Sequence, residues 1–115
     1  KKAIRLNSEF VLAHYNLGIL LKEKGELQGA ITHYRLAIKL KPDFIEAINN
    51  LGITFYNLSQ MEDAIKSYEK VIAIKPDFVK AHNNLENALM ELGQLDEAVK
   101  NFKIAISIKP NYAHK

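Results

Sequence analysis

The sequence predicts an all-α protein, an α-solenoid in which antiparallel helix pairs stack side by side. The main observation is a repeat, because residues of the same type return every 34 positions, as Leu17, Leu51 and Leu85 do. Within each repeat the apolar residues recur at helical spacing. Turn-forming residues, Gly and Pro among them, separate the apolar stretches at places where helices end. A fixed period of this length is typical of an array whose units bury their apolar surfaces against their neighbours.

Composition is that of a folded protein with a buried core. Of the 115 residues, 48% are hydrophobic and 25% are charged, which argues against disorder. No apolar run reaches the ~18 residues that a membrane span needs, so we expect no membrane partner. The absence of cysteine fits a reducing compartment such as the cytoplasm. The net charge is +3, but no single repeat is strongly basic, so we expect no nucleic acid partner.

The 34-residue period sets the boundaries of the units, each of which is predicted to hold an A helix, a short turn and a B helix. We expect residues 1–10 to be the end of a preceding repeat (a helix B remnant) with a connector, 11–44 to be unit one, 45–78 unit two, 79–112 unit three, and 113–115 the start of a truncated next helix. The chain starts without an initiator Met and is interpreted as part of a longer protein.

Unit one is predicted to hold helices at about 9–24 and 27–40. Ser8 stands where later units have proline, and serine is a good N-cap for the first helix. Gly25 tolerates a positive φ and ends that helix. Pro42 cannot continue the second helix, and Asp43 can cap the helix that follows.

Units two and three repeat this plan. We expect unit-two helices at about 44–58 and 61–74, and unit-three helices at about 78–92 and 95–108. The turns between them are predicted at 57–60 and 91–94, and Pro76 and Pro110 repeat the break that Pro42 makes.

Each hairpin is predicted to close on a contact between small residues, with an aromatic ring behind it. In unit two these are Gly52, Ala64 and Tyr68, and the aromatic place holds Tyr34 in unit one and Phe102 in unit three. Burial of such a ring is worth ~3 to 5 kcal/mol against truncation to Ala.

These residues carry a family resemblance that covers essentially the whole chain. The signature of unit two is Ile48, Leu51, Gly52, Phe55, Ala64, Tyr68 and Pro76. With this signature the chain resembles a tetratricopeptide repeat (TPR) array, which implies a right-handed α-solenoid. Unit three departs from the pattern at Glu86, where Gly or Ala is usual. Glu86 is either a buried carboxylate with a raised pKa or, as we favour, a side chain whose charged end reaches solvent.

The resemblance implies a concave groove lined by the A helices, and therefore a peptide-binding site there. The expected groove residues are Tyr15, Asn16 and Ile19 in unit one, Glu46, Asn49, Asn50, Ile53, Tyr56 and Asn57 in unit two, and Lys80, Asn83, Asn84 and Asn87 in unit three. Asn16, Asn50 and Asn84 recur at one place and resemble the asparagine ladder of O-linked N-acetylglucosamine transferases. Such amides donate and accept hydrogen bonds, as a bound peptide backbone requires. Alternatively, they bridge neighbouring helices.

The resemblance also allows a test for the carboxylate clamp of chaperone-binding TPR domains. Only Asn50 and Lys80 fit the clamp pattern. Tyr15, Ile19 and Asn84 occupy its other three places, and the two cationic residues that the clamp has among these places are missing. We therefore predict no strong affinity for an acidic chaperone tail.

The sequence contains no pattern that indicates catalysis, a metal site or a cofactor. His14 and His82 share one place in units two repeats apart, too distant for one metal ion, and no Gly-rich phosphate loop occurs. We therefore expect a non-enzymatic scaffold for a protein or peptide partner. One alternative is the substrate-recruiting arm of a larger glycosyltransferase, sulfotransferase or methyltransferase, and another is an RNA-binding helical repeat. The uncapped terminal helices also predict end-to-end self-association.

Overall fold

The computed structural model describes the backbone of residues 2–113 and the side chains of residues 8–108. Within these residues the chain is all-α, as predicted. Its five helices are α1 (Lys2–Glu23), α2 (Leu27–Leu40), α3 (Ile45–Asn57), α4 (Met61–Ile74) and α5 (Val79–Ala113). Each helix packs on the next one along the chain, and α3 also contacts α1 and α5. The result is an elongated stack that measures 77 × 30 × 19 Å.

The first two helix pairs are hairpins that close with the same turn. After α1, Gly25 has a φ of 84°, and the Glu26 amide donates to the Leu21 carbonyl at 2.8 Å. After α3, Ser59 has a φ of 62°, and the Gln60 amide donates to the Phe55 carbonyl at 2.9 Å. Both turns therefore end a helix with one left-handed residue and a six-residue hydrogen-bonded loop.

Proline turns connect one hairpin to the next, as predicted. The Phe44 amide donates to the Lys41 carbonyl at 3.0 Å, and the Phe78 amide donates to the Lys75 carbonyl at 3.1 Å. The expected cap by Asp43 is wrong, because the N-cap residue of α3 is Phe44 and no side chain caps it. The turn's own backbone bond therefore takes the place of the side-chain cap.

The core forms where the two helices of each hairpin cross. Tyr34 and Tyr68 are almost fully buried there, together with Ala30 and Ala64. A Cβ on Gly18 would lie 2.7 Å from Tyr34 Cε1, and a Cβ on Gly52 would lie 2.6 Å from Tyr68 Cε1. Contacts this short confirm that the glycines are needed for the close approach of the helices.

The start of the chain differs from the prediction, because α1 runs without a break from Lys2 to Glu23. Ser8 lies inside this helix and is not an N-cap, and the residues expected to end a preceding helix are part of α1 instead. The reason is that Ser8 replaces the proline of the later units. Serine keeps its backbone N–H and can continue a helix, whereas proline cannot.

Unit three also differs from the prediction, because α5 is one helix of 35 residues. The turn expected at 91–94 does not form, and Gly93 lies within the helix. Pro110 does not end α5 either, because the helix continues to Ala113. Unit three also has Glu86 at the place of the glycine that admits the aromatic ring in units one and two. Residues 114 and 115 of the expected next helix lie outside the described residues.

Candidate peptide-binding groove

The predicted groove residues lie on α1, on α3 and on the first half of α5, which are neighbours in the stack. They fall into three groups by exposure. The exposed ones are Asn16, Glu46, Asn57, Lys80, Asn83 and Asn87; the half-buried ones are Tyr15, Ile19, Asn50, Ile53, Tyr56 and Asn84; Asn49 alone among the thirteen is buried. Among these thirteen residues, Glu46 and Lys80 are the charged ones and the other eleven are neutral.

Two asparagines of the predicted ladder join neighbouring A helices by the same kind of bond. The Asn50 amide donates to the Tyr15 hydroxyl at 3.2 Å, and the Asn84 amide donates to Asn49 Oδ1 at 3.3 Å. In each case the sixth residue of one unit bonds to the fifth residue of the unit before it. These amides therefore bridge helices, and each keeps a carbonyl oxygen and a second N–H for other partners.

Asn49 lies beneath the groove surface rather than on it. Its side chain is 5% exposed, and its carbonyl oxygen accepts the bond from Asn84. A buried amide needs such a partner, because an unpaired polar group in the core is costly. Asn49 thus fixes the orientation of Asn84. The sequence alone gave no sign that Asn49 is buried while other asparagines of the groove are exposed.

Tyr15 forms the other end of the ladder and is held by aromatic neighbours. Its ring centroid lies 4.7 Å from that of Phe44 and 6.2 Å from that of Tyr34. Burial raises the pKa of Tyr15, and the nearby carboxylate of Glu46 raises it further, against the opposing effect of the Asn50 hydrogen bond. The hydroxyl is therefore protonated at neutral pH and can both donate and accept.

A small cavity of about 70 Å³ opens between α3, α4 and α5. Its lining consists of Ile53, Tyr56, Tyr68, Asn84 and Asn87. Burial raises the pKa of Tyr68 to about 12, with a further contribution from Tyr56. The sequence placed Tyr68 in the core only, because its repeat position explains its packing and gives no sign that its ring also lines a cavity.

The histidines form a structural contact that the sequence did not indicate. Nδ1 of His14 and Nδ1 of His33 are 3.0 Å apart, and the ring centroids are 5.3 Å apart. One of the two nitrogens therefore donates a hydrogen bond to the other. His82 instead bonds to the Pro76 carbonyl at 2.6 Å. Within the described residues no three His, Asp or Glu side chains cluster in a way that could hold a metal ion.

The described helices include none that is both long enough and apolar enough to span a membrane.

Three family models match the chain. A TPR repeat model matches residues 20–59, and tetratricopeptide repeat models match residues 45–78 and 79–112. No curated protein matches the chain.

Solved structures with the same fold include two of MamA. Each is 34% identical to this chain over 91% of it with a TM-score of 0.71, and the match covers 61% and 57% of the two MamA chains. This chain thus spans about three fifths of their length. The first TPR of Spaghetti (RPAP3), bound to the HSP90 peptide SRMEEVD, has a TM-score of 0.72 at 21% identity, over 90% of this chain and 82% of that one. The family models together span residues 20–112, and two of the matched units form the helix pairs of the repeat. The chain therefore belongs to the tetratricopeptide repeat family.

Proposed function

We propose that this chain is a non-catalytic scaffold that binds an extended peptide segment of a partner protein in the groove between its A helices. The observation that carries the proposal is the position of Asn84 and Asn87 beside the small cavity. This arrangement places hydrogen-bonding amides next to a site for one apolar side chain. Support also comes from family membership, and from a structural neighbour of the same fold that was solved with a peptide.

The peptide backbone is expected to pair with the asparagine side chains. An extended peptide presents N–H and C=O groups that need partners, and an asparagine amide supplies both a donor and an acceptor. Asn84 is oriented by its bond to Asn49, so less conformational freedom is lost when it binds. Asn87 is exposed and adds a second amide one helical turn further along.

The side chain that enters the cavity is expected to be small and apolar. Ile53, Tyr56 and Tyr68 supply the apolar walls, and a volume of about 70 Å³ suits a side chain of a few heavy atoms. None of the five lining residues is charged, so the preferred peptide is neutral here rather than acidic. The acidic HSP90 peptide SRMEEVD consequently serves as a negative control, since Tyr15 and Ile19 stand where a clamp needs Lys and Asn.

The experiment is selection of peptides from a displayed random library, followed by fluorescence anisotropy with the selected peptide. Asn87→Ala is expected to weaken binding about tenfold, the value of one good hydrogen bond. Gln28→Ala is the matched control, because it removes an exposed amide from the B-helix side. Unchanged affinity in Asn87→Ala, or equal losses in both variants, would reject the groove as the binding site.

A further inference from the structure

The second half of α5, residues 95–108, leaves exposed an apolar surface that is buried in the preceding unit. Phe102 is 69% exposed, whereas Tyr68 at the same repeat position is 1% exposed. Leu95 is 47% exposed, whereas Met61 at its repeat position is 6% exposed. These side chains have the composition of a hairpin core, and none of the helices described for this chain covers them.

The first half of α5, residues 79–92, also leaves exposed apolar side chains that are buried at the same positions of α3. Leu89 is 50% exposed, whereas Phe55 at the same position of α3 is 5% exposed. In unit two this surface is covered by α4. Leu89 and Phe102 lie 13 residues apart on one straight helix, a rise of ~20 Å, so the two halves of α5 cannot cover each other.

Glu86 explains why this chain does not cover them by folding α5 at Gly93. The equivalent Gly52 has no room for a Cβ, which would lie 2.6 Å from Tyr68 Cε1 and 3.1 Å from Ser67 Cβ. A glutamate at that position cannot be placed at the spacing that the tight hairpin turn imposes. The turn sequence is not the obstacle, because Gly93 suits a left-handed turn better than Ser59, which makes one.

We propose that two copies of this chain exchange their α5 helices, so that residues 95–108 of each copy pack on residues 79–92 of the other. The two surfaces are complementary because they are repeats of α3 and α4, which pack together in this structure. The exchange is symmetric and closed, which makes it an inexpensive route to a dimer. The occupied surface adjoins the contact of α4 with α5, so each copy extends the stack of the other.

Exchange between copies also accommodates Glu86 and Gly93. Helices from two chains are not tied by a short turn, so their axes can stand far enough apart for the Glu86 side chain. Asn101 occupies the repeat position of Ser67, beside the Gly52 position, and its amide can donate to the Glu86 carboxylate. In this dimer Glu86 of one copy faces Phe102 of the other, so the two antiparallel α5 helices cross next to Gly93.

Cysteine cross-linking tests the exchange directly, because the chain has no native cysteine. Leu89→Cys and Ala98→Cys occupy the positions of Phe55 and Ala64, which belong to one core cluster in unit two. Oxidation of the double variant is expected to give a covalent dimer on a non-reducing gel. An internal disulfide, or thiols that stay free, would overturn the proposal. Leu89→Cys with Lys100→Cys is the control, since Lys100 lies on the opposite side of the helix and is expected to stay unlinked.

Sedimentation of Glu86→Gly provides the second test. The wild-type chain is expected to sediment as a dimer. Glycine at this position removes the obstacle to the hairpin, so the variant is expected to dissociate at least tenfold more readily into monomers. Glu97→Gly, which weakens the helix equally without freeing the close contact, is expected to keep the dimer. A monomeric wild-type chain, or a Glu86→Gly variant as dimeric as Glu97→Gly, would overturn the exchange.

Discussion

Tyr68 lies so close to Gly52 that a Cβ on the glycine would stand 2.6 Å from its ring. The ring is nearly fully buried, so it could give way only by leaving its packed position. Gly52→Ala is therefore expected to lower the free energy of unfolding by about 1 to 3 kcal/mol, the usual cost of overpacking. Urea denaturation monitored by circular dichroism measures the change.

Gly93→Ala is the matched control for this prediction. A Cβ at Gly93 meets nothing within 4 Å, and alanine is the better helix former by about 1 kcal/mol. The control is expected to be neutral or stabilising. A Gly52→Ala protein as stable as the parent would show that the crossing of α3 and α4 is looser than the 2.6 Å separation implies.

The Tyr34 hydroxyl is buried without a hydrogen-bond partner. An unpaired buried polar group costs about 1 to 3 kcal/mol, and phenylalanine has the same shape without that group. Tyr34→Phe is therefore expected to leave the free energy of unfolding unchanged or to raise it by about 1 kcal/mol. Thermal denaturation checks this, and a clear loss of stability would mean that the hydroxyl is bonded.

Alkaline pH is expected to destabilise the protein through the same tyrosines. Burial raises the pKa of Tyr34 to about 12 and that of Tyr68 to about 12, against an ordinary value of 10.0. The unfolded chain loses these protons first, so their contribution is complete below pH 10 and is lost as the pH rises to 12. The loss is on the order of 2 kcal/mol per tyrosine. Urea denaturation at a series of pH values should show a smaller fall in Tyr34→Phe than in the parent.

Ser59 has a φ of 62°, a conformation that favours glycine. Unit one has Gly25 at the equivalent position, with a φ of 84°. Ser59→Gly is expected to stabilise the protein by about 1 kcal/mol, the steric cost of the left-handed region for other residues. Denaturation measures it, and Gly25→Ser is the reciprocal variant, expected to lose a similar amount. Equal stability of parent and Ser59→Gly would contradict the strained turn.

Much of the fold could be predicted from the sequence, since the 34-residue period and the glycine and aromatic positions define two of the hairpins. The third hairpin could not be predicted reliably. The 34-residue period predicts a turn in every unit, and a single residue, Glu86, opposes it in unit three. Gly93 favours a turn locally, while Glu86 prevents the contact that the turn would close. Whether a turn forms depends on both, and only the distance from Gly52 to Tyr68 shows the obstacle.

The groove could be predicted only in part. The repeat positions identified the asparagine ladder, but they could not show that Asn84 is bonded to a buried Asn49. Nor could they show the cavity, which depends on how three helices meet. The hydrogen bond and the cavity both form between neighbouring units. The sequence pattern identifies which residues lie there, but it does not give the distances between them.

The most direct test of peptide binding in the groove is a titration of the isotope-labelled chain with a selected peptide, followed by NMR. The largest chemical-shift changes are expected on the Asn84 and Asn87 side-chain amides and on the Ile53 methyl groups. Binding in the groove would be contradicted if those signals stayed in place while residues of the B-helix surface, such as Thr32 and Lys66, shifted instead.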